Sequence, residues 1–295
     1  MTASNERVFL APDVLVLGGG GVLGEAWMNG ALAGIEDGAG IDLREVDVLV
    51  GTSAGSIVAA NLAAGRSPRR PQRRDADAGQ PAQAGVGAPR RLLMRGAAPL
   101  RGRVIPYEAP AGALLRATVL RGLPRGTRTL ERLERSLERA QIEFDGRLRV
   151  VCVELRTGRR VVFGAPAAPT APVSRAVVAS CSIPGYFEPV EIGGREYVDG
   201  GVHSPVNLDA APAGHGTKVL CLAPLAGLQL ALASPLRLLR ARLGAELVGF
   251  ERRGARVSLI APWSAAAAPM ARDLMDDAQR AFVHAAGYAQ GLQMS

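Results

Sequence analysis

Gly51-Thr52-Ser53-Ala54-Gly55 is a G-x-S-x-G pentapeptide set between the apolar run Val46-Asp47-Val48-Leu49-Val50 and an Ala-rich run from Ser56 to Ala64. A strand that turns sharply into a helix through such a pentapeptide pushes its central side chain outward, and the glycines remove Cβ atoms that would clash in the turn. Ser53 would then stand exposed at the carboxyl end of a buried strand, with the N–H groups of Ala54 and Gly55 pointing the same way at a helix N-terminus that favours negative charge. That is a place for a nucleophile attacking an acyl carbonyl, whose oxyanion needs N–H donors. The same five residues also make an ordinary turn in which Gly, Ser and Thr are only turn and cap residues, so the partners of Ser53 decide.

A serine nucleophile needs a base. The three histidines, His203, His215 and His284, sit in no recognisable loop signature. Asp199 stands in a turn that Gly200 and Gly201 free of side chains, and it is the best-placed carboxylate. A second Gly-rich turn, Gly18-Gly19-Gly20-Gly21, lets backbone approach an oxyanion closely. Gly19 to Gly24 also fits G-x-G-x-x-G, the dinucleotide fingerprint. The next strand should then end in an acidic residue for the ribose, and it ends instead in Gly-Thr-Ser, which argues against a nucleotide site.

Both turns need strands to carry them. Val14 to Leu17 reads as a buried parallel strand, Gly24 to Glu36 as a helix, and Val46 to Val50 as the strand leading to Ser53. Two strand–turn–helix units in succession imply an open parallel sheet with its site at the strands' carboxyl ends. Arg66 to Gly126 breaks the pattern with Arg, Pro, Gly and Ala, and reads as a mobile basic low-complexity insertion, or a basic lid beside the site, with short helices near 90–95 and 112–120. Beyond it, 129–139 reads as a surface helix, 148–155 and 159–163 as strands, and 173–181 as a helix stopped by Ile183-Pro184-Gly185. The pair 190–192 and 196–198 delivers the chain to Asp199; strands at 218–222 and 257–260 follow, with helices at 236–250 and 269–292, Pro269 in the first turn of the last. One α/β domain over 8–292, interrupted at 66–126, fits better than two.

The 295 residues are 48% hydrophobic but only 4% aromatic, so the core must be built from Ala, Val and Leu. The net charge of +8 is consistent with nucleic acid or an anionic membrane as a partner, but Arg, Ala, Gly and Pro rise together, as a GC-rich coding bias would produce, and much of the Arg lies in one segment. Nucleic acid is therefore not expected, and a peripheral contact of Arg69, Arg70, Arg73 and Arg74 with anionic lipid stays open. Cys152, Cys181 and Cys221 are odd in number and without C-x-x-C spacing, against a disulfide framework or a zinc site. With no signal-like N-terminus and no long apolar run, a cytoplasmic protein is expected.

Taken in order, Gly18 to Gly24, Gly51 to Gly55, Ala179-Ser180-Cys181-Ser182-Ile183-Pro184 with Gly185-Tyr186-Phe187, and Tyr197-Val198-Asp199-Gly200-Gly201 make the chain resemble a bacterial patatin-like phospholipase over nearly its whole length. The resemblance implies a three-layer α/β/α fold around a mostly parallel sheet, and hydrolysis of lipid acyl esters without metal or organic cofactor. It makes Ser53 the nucleophile and Asp199 its only catalytic partner. Gly19, Gly20 and Gly21 become the oxyanion loop, with Ala54 beside them. Leu23 stands where the family often has Arg or Lys, which leaves a neutral ester as plausible a substrate as a phospholipid. The competing readings are a Ser-His-Asp esterase using His203 or His284, and a non-catalytic scaffold that binds lipid or protein.

Overall fold

The computed structural model describes residues 11–69, 110–212, 214–228 and 236–295. Its strands are β1 Val14–Leu17, β2 Val48–Thr52, β3 Leu148–Glu154, β4 Arg160–Phe163, β5 Val190–Ile192, β6 Arg195–Asp199, β7 Lys218–Leu222 and β8 Arg256–Ile260. The helices are α1 Gly21–Ala39, α2 Ala54–Ala63, α3 Pro110–Gly122, α4 Glu131–Arg139, α5 Val173–Cys181, α6 Leu236–Arg252, α7 Ser264–Arg272 and α8 Arg280–Met294. One sheet runs in the order β5-β6-β3-β2-β1-β7-β8, with β4 joined to β3. The pairs β1–β2, β1–β7, β2–β3 and β7–β8 are parallel, while β4 and β6 run against β3. Short apolar strands buried on both faces are what a parallel sheet covered by helices requires.

Alternate side chains of each strand enter different layers. Leu15, Leu17, Leu49, Val150 and Cys152 pack with α1, α2, α5, α7 and α8 on one face. Val14, Val16, Val50 and Val151 pack on the other with Val206, Leu208 and the α6 residues Leu243 and Phe250. The three-layer α/β/α arrangement follows, with a core of Ala, Val and Leu.

The register places the site. Residues 150–153 of β3 pair with β4 along one edge, so β2, paired to 148–151, and β6, paired to 152–154, share the opposite edge end to end. Thr52 lies opposite Val151 and Asp199 opposite Cys152. The parallel β2 and the antiparallel β6 therefore point their carboxyl ends at each other, and Thr52 and Asp199, 147 positions apart in sequence, converge on consecutive residues of β3.

Two expectations change, and one lies largely outside the described residues. Residues 110–122 form a full helix whose Ala113, Arg116, Ala117 and Leu120 are buried, so this part of the basic stretch belongs to the packed domain. The expected helix near 90–95 and Arg70, Arg73 and Arg74 lie outside the described residues, while Arg69 is paired with Glu36 and Asp37 of α1 at 2.5 and 2.6 Å. Finally, 269–292 is not one helix: α7 ends at Arg272, Asp273 is extended with φ −154°, and α8 begins at Arg280. Pro269 lies inside α7 rather than in the first turn of a helix. Among the described residues no helix is long and apolar enough to cross a membrane.

Candidate active site

Ser53 follows β2 and caps α2 with a positive φ, 52°, and ψ −123°. A non-glycine residue held there costs on the order of 1–3 kcal/mol and persists only where its surroundings fix it. Both flanking glycines are demanded by close approach: a Cβ on Gly51 would stand 2.4 Å from Ser56 Cα, and one on Gly55 would stand 2.0 Å from the Leu17 carbonyl oxygen. The Ser53 N–H donates to Ser180 Oγ at 2.9 Å, and that hydroxyl donates onward to the Val151 carbonyl at 2.7 Å. The turn is thereby tied through α5 to β3.

Asp199 closes β6 with its carboxylate buried. Its own N–H donates to the Ser182 carbonyl at 3.0 Å, so α5 holds both Ser53 and Asp199. Burial pushes the Asp199 carboxyl up to about 6, while the Gly201 N–H, 2.7 Å from Oδ1, and the Ser53 hydroxyl favour its charged form. The Cys152 and Cys181 thiols are raised too, by the same burial and then by the charge of Asp199. A carboxylate next to a hydroxyl in a dry site, poised near neutrality, has the properties of a general base.

The glycine run is pinned by its neighbours. Gly18 N–H donates to Leu222 O at 3.0 Å and Gly19 N–H to Pro205 O at 2.7 Å, so the Gly19 amide is already engaged. A Cβ on Gly19 would lie 3.3 Å from Ser53 Cβ, which sets this residue directly against Ser53. Gly20 N–H meets no described acceptor, and Gly21, the first residue of α1, has none within that helix. The loop's N–H groups available to an oxyanion are thus those of Gly20 and Gly21, at the positive end of a 19-residue helix. Leu23 is fully buried and its N–H donates to Leu274 O at 3.0 Å. Leu274 and the exposed Met275 lie against Gly21 and give the loop an apolar rim.

Asn207, unremarked in the sequence, lies beneath the turn on the other face. It is fully buried and left-handed, φ 54°, and its Nδ2 lies 3.1 Å from Thr52 Oγ1, 3.2 Å from Gly200 O and 2.5 Å from Ser204 O. An Asn a few residues after Asp-Gly-Gly, before an apolar residue, was the available signal, since Asn tolerates left-handed backbone.

Of the histidines, His203 is buried beside Arg160, Arg116 and Asp209 and hydrogen-bonds Asn207; burial first, then Arg160 and Arg116, press it down to about 3. His284 is on α8 with its carbonyl against Gly30, nine residues along α1 from Gly21, or about 14 Å at 1.5 Å per residue. His215 is exposed beside Gly254.

The sequence profile of the patatin-like phospholipase family matches residues 15–212, from β1 through the Ser53 turn, Asp199 and Asn207. The chain belongs to the patatin-like phospholipase family. Among solved structures, the type III effector ExoU is similar at 19% identity and TM-score 0.40, over 96% of this chain and 52% of that one. VipD from Legionella pneumophila is similar at 14% identity and TM-score 0.45, over 97% and 67%. The ExoU–SpcU complex of Pseudomonas aeruginosa gives 20% identity and TM-score 0.39, over 96% and 51%. This patatin-like chain spans about half the length of ExoU. No curated protein matches it.

Proposed function

We propose that the protein is a serine lipid acyl hydrolase in which Ser53 is the nucleophile and Asp199 its base. The observation that carries the reading is the meeting of β2 and β6 on one edge of β3, which sets a strained, partly exposed serine beside a buried carboxylate raised to about 6. Asp199 takes the Ser53 proton as Oγ attacks the ester carbonyl, and the oxyanion is held by Gly20, Gly21 and Ala54 N–H groups. Gly19, with its amide on Pro205, serves by its missing side chain. The alcohol leaves with a proton returned by Asp199; the carboxylate then activates a water that releases the fatty acid. The apolar rim of Leu274 and Met275 and a buried Leu23 in place of a cation favour an acyl chain and put no requirement for phosphate at the loop.

A Ser-His-Asp triad is disfavoured, because a histidine held near 3 is a poor base at neutral pH. The test is release of fatty acid from a panel of phospholipids, glycerides and short acyl esters by wild type, Ser53→Ala and Asp199→Asn. Hydrolysis that vanishes in both variants is expected. Hydrolysis that survives Ser53→Ala removes the reading, and a folded wild type inert on the whole panel favours a binding scaffold.

A further inference from the structure

We propose that Asn207 is a positioning residue which fixes the nucleophile turn relative to the carboxylate by tying Thr52 to Gly200. The proposal rests on the hydrolase reading of Ser53 and Asp199. Thr52 immediately precedes the nucleophile and Gly200 immediately follows the base, and the same Nδ2 reaches both, at 3.1 and 3.2 Å. β2 and β6 meet end to end without a ladder between them, so their register on β3 brings the two ends together and no strand pairing joins them directly across the gap the proton must cross. On one face α5 supplies Ser180 and Ser182; on the other face the tie is Asn207.

The amide's orientation is settled by chemistry. Three oxygens surround Nδ2, and a guanidinium nitrogen of Arg160 faces Oδ1 at 3.4 Å. Arg160 is itself paired with Asp209. The backbone is held as well, with Asn207 N–H donating to Ser204 Oγ at 3.1 Å. Asn207 does not touch the reacting atoms in this geometry. It acts through Thr52, whose Oγ1 also lies 3.4 Å from Val206 O.

The test compares Asn207→Gly, Thr52→Val, Thr52→Ser and the Asn207→Gly/Thr52→Val double variant with wild type on the best ester of the panel, with sites counted by fluorophosphonate titration. Glycine keeps the left-handed backbone and removes the tie together with the side chain's bonds to Ser204 O, His203 and Arg160, so the Thr52 variants, which leave those bonds in place, isolate the tie. Per titrated site, kcat of Asn207→Gly should fall about 30-fold with KM within about threefold, and the rate of Ser53 labelling should fall with it. Thr52→Val should lose about fivefold, Thr52→Ser should stay near wild type, and the double variant should be no worse than Asn207→Gly, because residues acting through one contact are not additive. A merely structural role would lower the number of titratable sites and leave kcat per site unchanged, and that result overturns the proposal. So does additivity. If Asn207→Gly does not fold, Thr52→Val against Thr52→Ser decides, and equal rates overturn it. A wild type that neither labels nor turns over removes both readings, whereas an active wild type beside an equally active Asn207→Gly removes only this one.

Discussion

On the face carrying Leu15, Leu17 and Leu49, α1 and α8 cross so closely that a Cβ on Gly30 would lie 2.1 Å from His284 O, and one on Gly291 would lie 2.2 Å from Ala31 O. The first layer pairs its buried α1 carboxylates separately, Glu25 with Arg280 and Glu36 with Arg69, whereas the opposite face links its charges into one network. There Asp209 pairs with Arg160 and with Arg242 at 3.3 Å, Arg242 lies 3.2 Å from Glu246, and Glu246 accepts from Leu208 N–H at 2.9 Å. Asp199 projects toward the first face, since its partner Cys152 belongs to that core, while Thr52 projects toward the second with Val50. Burial in the apolar layer raises Asp199, and directional bonds in the polar layer hold the backbone on either side of the junction. Apolar packing sets the site's electrostatics and hydrogen bonds set its geometry, from opposite sides of one sheet.

The largest expected effect breaks the first half of that comparison. Asp199→Asn should reduce turnover by a factor on the order of 1,000 or more, because the amide keeps the Gly201 bond but takes no proton. Wild-type kcat/KM should rise with pH through about 6 and then level. The sign for stability is opposite. Between 3.8 and about 6 the folded state holds a proton that the unfolded state has lost, so stability falls as pH rises across that window. At pH 8 the buried charge costs up to about 3 kcal/mol, and Asp199→Asn should melt higher than wild type there but not at pH 4. Matched melting at both pH values would show that Asp199 is not desolvated.

Ser180→Ala comes next, with an effect on both halves. It leaves the Ser53 N–H and the Val151 carbonyl without their bond, at about 1–3 kcal/mol for an unmet polar group. kcat should drop about tenfold as the strained turn relaxes. Unchanged kcat with a lower melting temperature would confine Ser180 to stability.

How much of this was legible varies with the kind of signal. The strands around both turns were readable because a parallel strand buried on two faces is a run of apolar residues, and Ser53 and Asp199 were readable because glycines mark the turns that carry them. The break at Asp273 was not. Leu274 and Met275 continue the apolar pattern of a helix, yet Leu274 O turns aside to accept Leu23 N–H, a contact 251 positions away that no local period contains. The engaged Gly19 amide was hidden for the same reason, since Pro205 lies in a distant loop. Asn207 carries a single side chain into a buried network, and one polar residue leaves no periodic trace.

Gly291→Ala tests packing apart from chemistry. The added methyl has only backbone to displace, so a loss of about 1–3 kcal/mol is expected, with kcat per titrated site within about twofold of wild type. Loss of activity at full stability would mean that the α1–α8 crossing transmits to the glycine loop at the head of α1.

The smallest effect is expected from Glu246→Gln, on the polar face but one step removed from Asn207. Burial and the neighbouring Asp209 push Glu246 up to about 7, so its charge, like that of Asp199, opposes folding as pH rises, here from 4.5 to about 7. Glutamine keeps an oxygen for Leu208 N–H and gives up the ion pair with Arg242, which retains Asp209. Relief of the buried charge and loss of the pair offset each other above pH 7, while below pH 5 both proteins carry a neutral group. Melting temperatures should therefore differ little at either extreme, and kcat should change less than about twofold, because Glu246 reaches Asn207 only through Ser204 and Leu208 and touches neither Thr52 nor Gly200. A tenfold loss of kcat would instead extend the positioning network from Asn207 to α6. The polar face would then act as one cooperative unit rather than as a single tie resting on an ionic base.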